Sequence, residues 1–203
     1  MPTLRPFRDY DEKDVINLYT FSGAVIDSTY QTLATKGTLV KVAGEGFRPD
    51  TEPIEMLGNM GAFNVNNWVG QRYGVLPKIT VAQSTDKPLG MLLFDVRELD
   101  ENQMPLKYNP RKAAEMEVAI SGQAVPVVTR GLFMYSGVIV SGGVAVTAGS
   151  SCYPGQNGGI ATSGATASTT PIGKFLGTTG ATFTSGNAYG DNSAVCLVWL
   201  NIQ

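Results

Sequence analysis

Short apolar stretches recur along the chain between clusters of glycine, proline, serine and threonine. Short runs rich in β-branched and aromatic side chains, bounded in this way, predict strands. Upstream they occupy residues 37–42, 78–82, 91–96 and 124–133, and downstream they are Val138-Ile-Val, Val144-Ala-Val, Phe175-Leu and residues 195–200. The pattern therefore predicts a mainly β protein.

Helical periodicity is scarce, and one start signal stands out. Asn109 followed by Pro110 suits an N-cap and the first helical position, and Arg-Lys-Ala-Ala-Glu-Met follows. We predict one or two turns of helix there. The segment Asp11–Leu18 has the acidic start that a helix N-terminus favours, but an extended arm accounts for it equally well.

Three sequence segments occur twice in the same order. The first copy has Gly37-Thr-Leu-Val, then Pro88-Leu-Gly, then Ala124-Val-Pro-Val-Val-Thr, and the second has Gly143-Val-Ala-Val, then Pro171-Ile-Gly, then Ala194-Val-Cys-Leu-Val-Trp. Such a two-copy repeat predicts two similar β units packed together, not a solenoid, which needs more units at a fixed period. We predict a duplicated β unit that forms a barrel or compact sandwich, with an N-terminal arm and one short helix.

The glycines of the doubled Pro-x-Gly segment, Gly90 and Gly173, are interpreted as structural. Proline before a strand marks its start, and a glycine two residues later lets the backbone bend or bulge into the sheet. A phosphate-binding loop is disfavoured because neither copy has the spacing of a known phosphate or dinucleotide motif.

Charge is unevenly distributed. Residues 86–117 contain twelve charged side chains, whereas residues 131–203 contain only Lys174 and Asp191. The predicted division is an N-terminal arm (1–35), a first β unit (36–135) with a charged insertion (95–117), and a Gly/Ser/Thr-rich second β unit (136–203). The net charge of −2 disfavours nucleic acid as a partner.

Catalytic and metal-binding chemistry is poorly represented. The chain of 203 residues has no histidine, which removes the commonest general base and metal ligand. The acidic pairs Glu115 with Glu117 and Asp100 with Glu101 could form a glycosidase dyad, but such mixed-charge runs are usually solvated loops. We expect no enzyme activity, no metal and no cofactor.

The cysteines, the apolar segments and the aromatic residues also favour a structural role over a chemical one. Cys152 and Cys196 lack zinc-site spacing and are expected to be buried apolar side chains. No apolar window is long enough for a membrane span and the N-terminus lacks a secretory signal, so neither membrane association nor export is expected. Trp68, Tyr73, Phe94 and Trp199 are scattered, which suits a core or a protein interface better than a nucleic-acid platform.

The order of these segments resembles that of tailed-bacteriophage capsid decoration, or cement, proteins. The resemblance covers about residues 36–203 and lies in the two Pro-x-Gly strands, the Val127-Val-Thr-Arg-Gly-Leu-Phe turn and the closing Val-x-Leu-x-Trp-Leu strand. It implies a homotrimer on the outer surface of an icosahedral head that clamps neighbouring major capsid proteins. It also implies a virion location after assembly in the host cytoplasm.

The parts outside the repeat, residues 1–21 and 95–117, are where a partner-specific contact is expected. The N-terminal segment either orders on a neighbouring subunit or packs on its own domain. We expect deletion of residues 1–21 to leave the β domain folded but to abolish incorporation into heads. The alternative function is a tail or fibre-associated module that binds host glycan through the uncharged 131–203 face. The capsid-interface candidates are Leu4, Phe7, Tyr10, Val15, Ile16, Leu18, Tyr19 and Phe21.

Overall fold

The computed structural model describes residues 3–6, 11–43, 78–120, 122–136, 138, 146–163, 170–178 and 195–202. These residues form fourteen strands, one α-helix and short 3-10 turns. The strands are β1 (Thr3–Pro6), β2 (Val15–Phe21), β3 (Thr32–Ala34), β4 (Leu39–Val42), β5 (Lys78–Val81), β6 (Gly90–Leu92), β7 (Asp95–Arg97), β8 (Val118–Ala119), β9 (Ala124–Val128), β10 (Arg130–Ser136), β11 (Ser151–Pro154), β12 (Ile160–Ala161), β13 (Gly173–Thr178) and β14 (Val195–Asn201). The prediction of a mainly β protein is confirmed.

Three sheets contain these strands. A closed barrel has the order β2-β5-β4-β6-β9, and the parallel pairing of β2 with β5, Thr20 opposite Lys78 and Phe21 opposite Ile79, closes it. A six-stranded sheet has the order β1-β10-β14-β13-β11-β12, and a small sheet has the order β3-β7-β8. The predicted barrel is therefore present, and an open sheet lies beside it.

The barrel and the open sheet repeat one topology. The first unit contains β2, β4, β5, β6 and β9, and its hydrogen-bonded order is β2-β9-β6-β4-β5, read from one side of the closing pair to the other. The second unit contains β10, β11, β12, β13 and β14 in the order β10-β14-β13-β11-β12, which matches strand for strand. The unit is thus duplicated in its pairing as well as in its sequence. Three pairs of backbone hydrogen bonds match between the units. Gly37 N donates to Leu92 O (2.8 Å) in the first unit as Gly149 N does to Phe175 O (2.7 Å) in the second, and Leu92 N donates to Thr38 O (3.0 Å) as Phe175 N does to Ser150 O (2.8 Å). In the third pair, Leu89 N donates to Val40 O (2.7 Å) and Ile172 N to Cys152 O (2.9 Å).

The register corrects two of the three sequence correspondences. Gly37 matches Gly149, and both have left-handed φ angles, +89° and +86°, whereas Gly143 lies outside the described residues. Val127 matches Val198, since both are buried and lie opposite the equivalent residues Leu92 and Phe175. Ala124 therefore matches Val195, not Ala194. Letter similarity misled the alignment because a one-residue slip exchanges the buried and exposed faces of a strand.

The N-terminal segment and the unit boundary also differ from the prediction. Strand β1 pairs with β10, β2 closes the barrel, and β3 lies in the small sheet. Residues 3–6, 15–21 and 32–34 therefore pair into the sheets of the folded domain, which favours packing on its own domain over an arm that orders on a neighbouring subunit. Strand β10 belongs to the second unit by its pairing, so the boundary falls at Thr129.

The predicted helix is confirmed as α1 (Pro110–Glu115), with Asn109 as N-cap accepting a hydrogen bond from Lys112 N at 3.4 Å. The second helical candidate is one 3-10 turn (Glu12–Asp14), capped by Asp11, that leads into β2. The β-branched residues Val15 and Ile16 follow it, and they favour the extended conformation.

Two apolar cores fill the units. The barrel core contains Val40, Ile79, Leu92, Val125 and Val127. The larger core fills the open side of the second unit, and it includes Cys152, Ile160, Phe175, Cys196 and Val198 at the equivalent positions. Both cysteines are free and buried, as expected. Each stands where the barrel has a valine, which is consistent with their apolar environment.

Candidate protein-interaction surface

The structure places most of the N-terminal candidates inside the protein. Leu4 and Phe21 are buried core residues, and Val15 and Tyr19 pack against the two cores. Ile16 is half-buried, and Leu18 is exposed over 48% of its surface. Phe7 and Tyr10 lie outside the described residues. Of the eight candidates, Leu18 is the one whose described side chain is largely available to a partner.

The charged insertion is a built structure and not a loose loop. It starts with β7, passes through the turn at residues 100–104 and a 3-10 turn (Leu106–Tyr108), and returns through α1 and β8. The parallel pair β7–β8 then joins its two ends. The insertion tip, defined as residues 99–116, therefore stands on a closed base.

Asp100 organises the insertion tip. The residue is 4% exposed, and its Oδ1 accepts hydrogen bonds from the backbone amides of Asn102 (2.8 Å) and Met104 (2.7 Å). Its Oδ2 lies 2.6 Å from Lys112 Nζ, which also contacts Glu101 Oε1 at 2.8 Å. This ion pair ties the turn to α1. Asp100 and Glu101, one of the two acidic pairs considered as a glycosidase dyad, are thus both engaged by Lys112.

The protonation states follow from these contacts. The hydrogen bond from Lys112 lowers the pKa of Asp100 below its usual range, and the amides of Met104 and Asn102 lower it further. The same lysine lowers the pKa of Glu101, and its own pKa is raised by Asp100 and then by Glu101. All three groups are therefore charged near neutral pH, which suits a structural lock.

Two large apolar side chains project from the insertion tip. Met104 is 63% exposed and Tyr108 is 78% exposed, whereas Leu106 between them is buried with Ala113, Val118 and Ile120. Lys107 Nζ lies 5.0 Å from the centre of the Tyr108 ring. Since Leu106 and the Asp100 contacts hold the backbone, a partner that binds Met104 and Tyr108 orders their side chains but does not have to order the loop. Exposed aromatic and methionine side chains on a rigid support are typical of protein-interface anchors.

The sequence pointed to this segment but not to these two residues. The charge density of 95–117 marked this segment as an insertion outside the repeat, and the two exposed residues lie within it. Met104 and Tyr108 were missed because nothing in their neighbours reveals which apolar residue of a short loop faces inward. Leu106, Met104 and Tyr108 look alike in the sequence, and only the packing of Leu106 under α1 separates them.

A second feature is an open cavity of about 430 Å³ beside the barrel. The hydroxyl groups of Thr35 and Thr38, 3.5 Å apart, are its buried polar groups, and Gln83 Oε1 accepts a hydrogen bond from Asn157 N at 3.2 Å on its rim. Such a lining suits an apolar group and offers few of the convergent donors that fix a ligand. The lining residues are Gly23, Ala24, Ile26, Leu33, Ala34, Thr35, Thr38, Val81, Gln83 and Asn157.

Within the part of the chain that the structure describes, no group of three or more histidine, cysteine, aspartate or glutamate residues could hold a metal ion.

Burial raises the pKa of both Cys152 and Cys196 to about 12, which leaves the thiols protonated and unreactive at neutral pH. No described helix is long and apolar enough to cross a membrane. The absence of enzyme activity stays a prediction.

Comparison with protein-family models, with curated proteins and with solved structures finds no match. The geometry of the chain itself is accordingly the basis for a function.

Proposed function

We propose that this chain is a structural virion protein that decorates the outer surface of a phage icosahedral head and stabilises it by clamping neighbouring major capsid proteins. The insertion tip is the observation that carries this proposal. It presents Met104 and Tyr108 to the outside from a support locked by Asp100 and Lys112. The resemblance of the two-copy sequence to decoration proteins supports the same role.

The insertion tip has the physical properties of a docking element. Leaving two large apolar side chains in water is unfavourable, and burying both against a partner contributes about 2–4 kcal/mol. The fixed backbone removes most of the ordering cost that a flexible loop would add on binding. An accessory protein that attaches to a preformed lattice needs such an anchor.

Decoration also accounts for stabilisation of the head without chemistry. A protein that binds only the assembled lattice lowers the free energy of that state by mass action, and many identical copies multiply the effect. The two β units provide a rigid body that can bridge two lattice subunits. We propose a homotrimer on the head, by resemblance to decoration proteins.

Imaging of the virion tests the proposal. We expect this chain on the outer surface of the head in hundreds of copies, with the insertion tip against the major capsid protein. A location on the tail or a fibre, in a few dozen copies at most, would instead favour the glycan-binding module. A chain found on the inner surface of the shell, or not in the virion, would refute both.

A further inference from the structure

The duplication shows the same face of the β unit in two surroundings. In the first unit the outer residues Leu39, Met91 and Val128 are 0–1% exposed, because they pack into the core of the second unit. This face of the unit is therefore a protein-contact face within the molecule. Its counterpart on the second unit points away from that core.

The counterpart can be identified from the register. Strand pairing aligns Leu132 with Trp199, Trp199 with Lys174, and Lys174 with Ser151 in one row across β10, β14, β13 and β11. The adjoining row pairs Met134 with Leu197. Trp199 occupies the position of Val128 and Lys174 that of Met91. We call Arg130, Leu132, Met134, Lys174, Leu197 and Trp199 the second-unit face.

The second-unit face has an apolar centre and a basic edge. Leu132, Met134, Leu197 and Trp199 alternate with buried core residues along β10 and β14, and all four are half-buried. Arg130 and Lys174 are exposed, and they are the charged residues of the four strands β10, β11, β13 and β14. Neither forms an ion pair with another residue that the structure describes.

These charges decide which partner suits the face. Two copies meeting face to face would oppose Arg130 and Lys174 with the same cations, which costs free energy at an interface. An apolar patch with an acidic rim would instead bury the centre and pair with both cations. Lys174 and Ser151 stand where the first unit has Met91 and Leu39, so this row of the second-unit face is more polar than an obligate interface.

We propose that the second-unit face is a second docking surface, and that it binds an acid-rimmed apolar patch on the shell protein. This inference rests on the proposed function and deepens it. The insertion tip belongs to the first unit and the second-unit face to the second, so one chain contacts two lattice subunits. Two linked contacts give an avidity that neither surface has alone, which is the physical basis of a clamp.

Charge reversal tests the proposal without disturbing the core. The variants are Lys174→Glu and the double variant Arg130→Glu with Lys174→Glu, and the control is Lys87→Glu, an exposed cation of the first unit outside every described ion pair. Occupancy is measured by sedimentation with heads assembled without this protein, over a range of salt concentrations. Light scattering follows the oligomeric state in parallel.

We expect wild type and Lys87→Glu to bind equally, and Lys174→Glu to bind about tenfold more weakly at low salt, with the double variant weaker still. The salt dependence of the double variant should be flatter than that of wild type, because fewer opposite charges attract. Unchanged occupancy of both variants would overturn the inference. A changed oligomeric state with unchanged head binding would also overturn it, since the face would then be a contact between copies. Failure of wild type to bind heads would refute the proposed function itself.

Discussion

Gly90 and Gly173 occupy the same position in the two β units, and each lies against the backbone of the neighbouring strand. A Cβ at Gly90 would stand 2.5 Å from Val128 O, and one at Gly173 would overlap Trp199 O. Val128 and Trp199 are themselves equivalent. Neither glycine has a positive φ. The doubled Pro-x-Gly segment therefore needs glycine for close strand approach, and the predicted bend or bulge is not the reason for it.

We predict that Gly90→Ala and Gly173→Ala each lower the free energy of unfolding by about 1–3 kcal/mol, the usual cost of overpacking. The clash is with backbone atoms of a central strand, which cannot move aside as a flexible side chain could. Chemical denaturation measures the effect. Gly177→Ala is the matched control on β13, where an added Cβ meets nothing within 4 Å, and it should change stability by less than about 1 kcal/mol.

Leu4 and Leu18 form a matched pair within the N-terminal segment. Leu4 is 3% exposed in the larger core, whereas Leu18 is exposed on β2. Leu4→Ala should cost about 2–4 kcal/mol, and Leu18→Ala less than about 0.5 kcal/mol. Thermal unfolding compares them. Equal, small losses would restore the idea of a free arm.

Deleting residues 1–21 should prevent folding, because it removes the strand that closes the barrel and the edge strand β1. Loss of cooperative unfolding and of near-UV circular dichroism would report this. A truncated chain that unfolds cooperatively with wild-type stability would contradict the integration of β1 and β2 into the sheets.

The Asp100–Lys112 ion pair should make stability depend on pH at both extremes. The pKa of Asp100 is lowered in the folded state, so its contribution is present above the unfolded value of about 3.9 and is lost as pH falls through the folded value. The pKa of Lys112 is raised, so its contribution is present below about pH 10.4 and is lost as pH rises through the folded value. Asp100→Asn should lower the free energy of unfolding at pH 7, and it should lose less stability than wild type when the pH is lowered.

Glu115→Gln is the control for this experiment, since Glu115 pairs with the exposed Arg111 on the surface of α1. Exposed pairs contribute little, so this change should leave the unfolding curve at pH 7 nearly unaltered. Denaturant midpoints between pH 2 and pH 11 test both variants. If the denaturant midpoint of Asp100→Asn fell at low pH as steeply as that of wild type, the role assigned to Asp100 would be contradicted.

Met104→Ser and Tyr108→Ser should separate binding from folding. Both side chains are exposed, so each change should alter stability by less than about 0.5 kcal/mol. Head occupancy should fall for each, and most for Tyr108→Ser, which removes the larger apolar surface. Val42→Ser is the control, because Val42 is an exposed apolar residue of β4 away from the insertion. Full occupancy by both tip variants would remove the observation on which the proposed function depends.

The cysteines provide a test of the duplication. Cys152 and Cys196 occupy the positions of Val40 and Val125, so Cys152→Val and Cys196→Val should cost less than about 1.5 kcal/mol as near volume-conserving changes. The corresponding serine variants place a hydroxyl group in an apolar core and should cost more. In the wild-type protein, raised pKa values and burial should keep both thiols unreactive toward a disulfide reagent until the chain unfolds.

The fold class was predictable because it depends on local pattern. Alternating apolar runs bounded by turn residues predict strands wherever the chain lies, and Asn109-Pro110 predicts the start of α1 without reference to any neighbour. The existence of a repeat was also visible, because Pro88-Leu-Gly and Pro171-Ile-Gly are similar in sequence. The match of Gly37 with Gly149 was missed, because the apolar segment after Gly143 resembled β4 more closely than Ser151–Pro154 does.

The sequence by itself therefore determined the mainly β class, several of the strands, the short helix and the presence of a doubled unit, since each rests on residues close together along the chain. Only the tertiary structure decided that Leu4 and Phe21 are core residues, that Met104 and Tyr108 face outward, and that one outer face of the unit is buried while its twin is not. Those choices depend on which element packs on which, and the free energy of packing is set by neighbours that are distant in sequence.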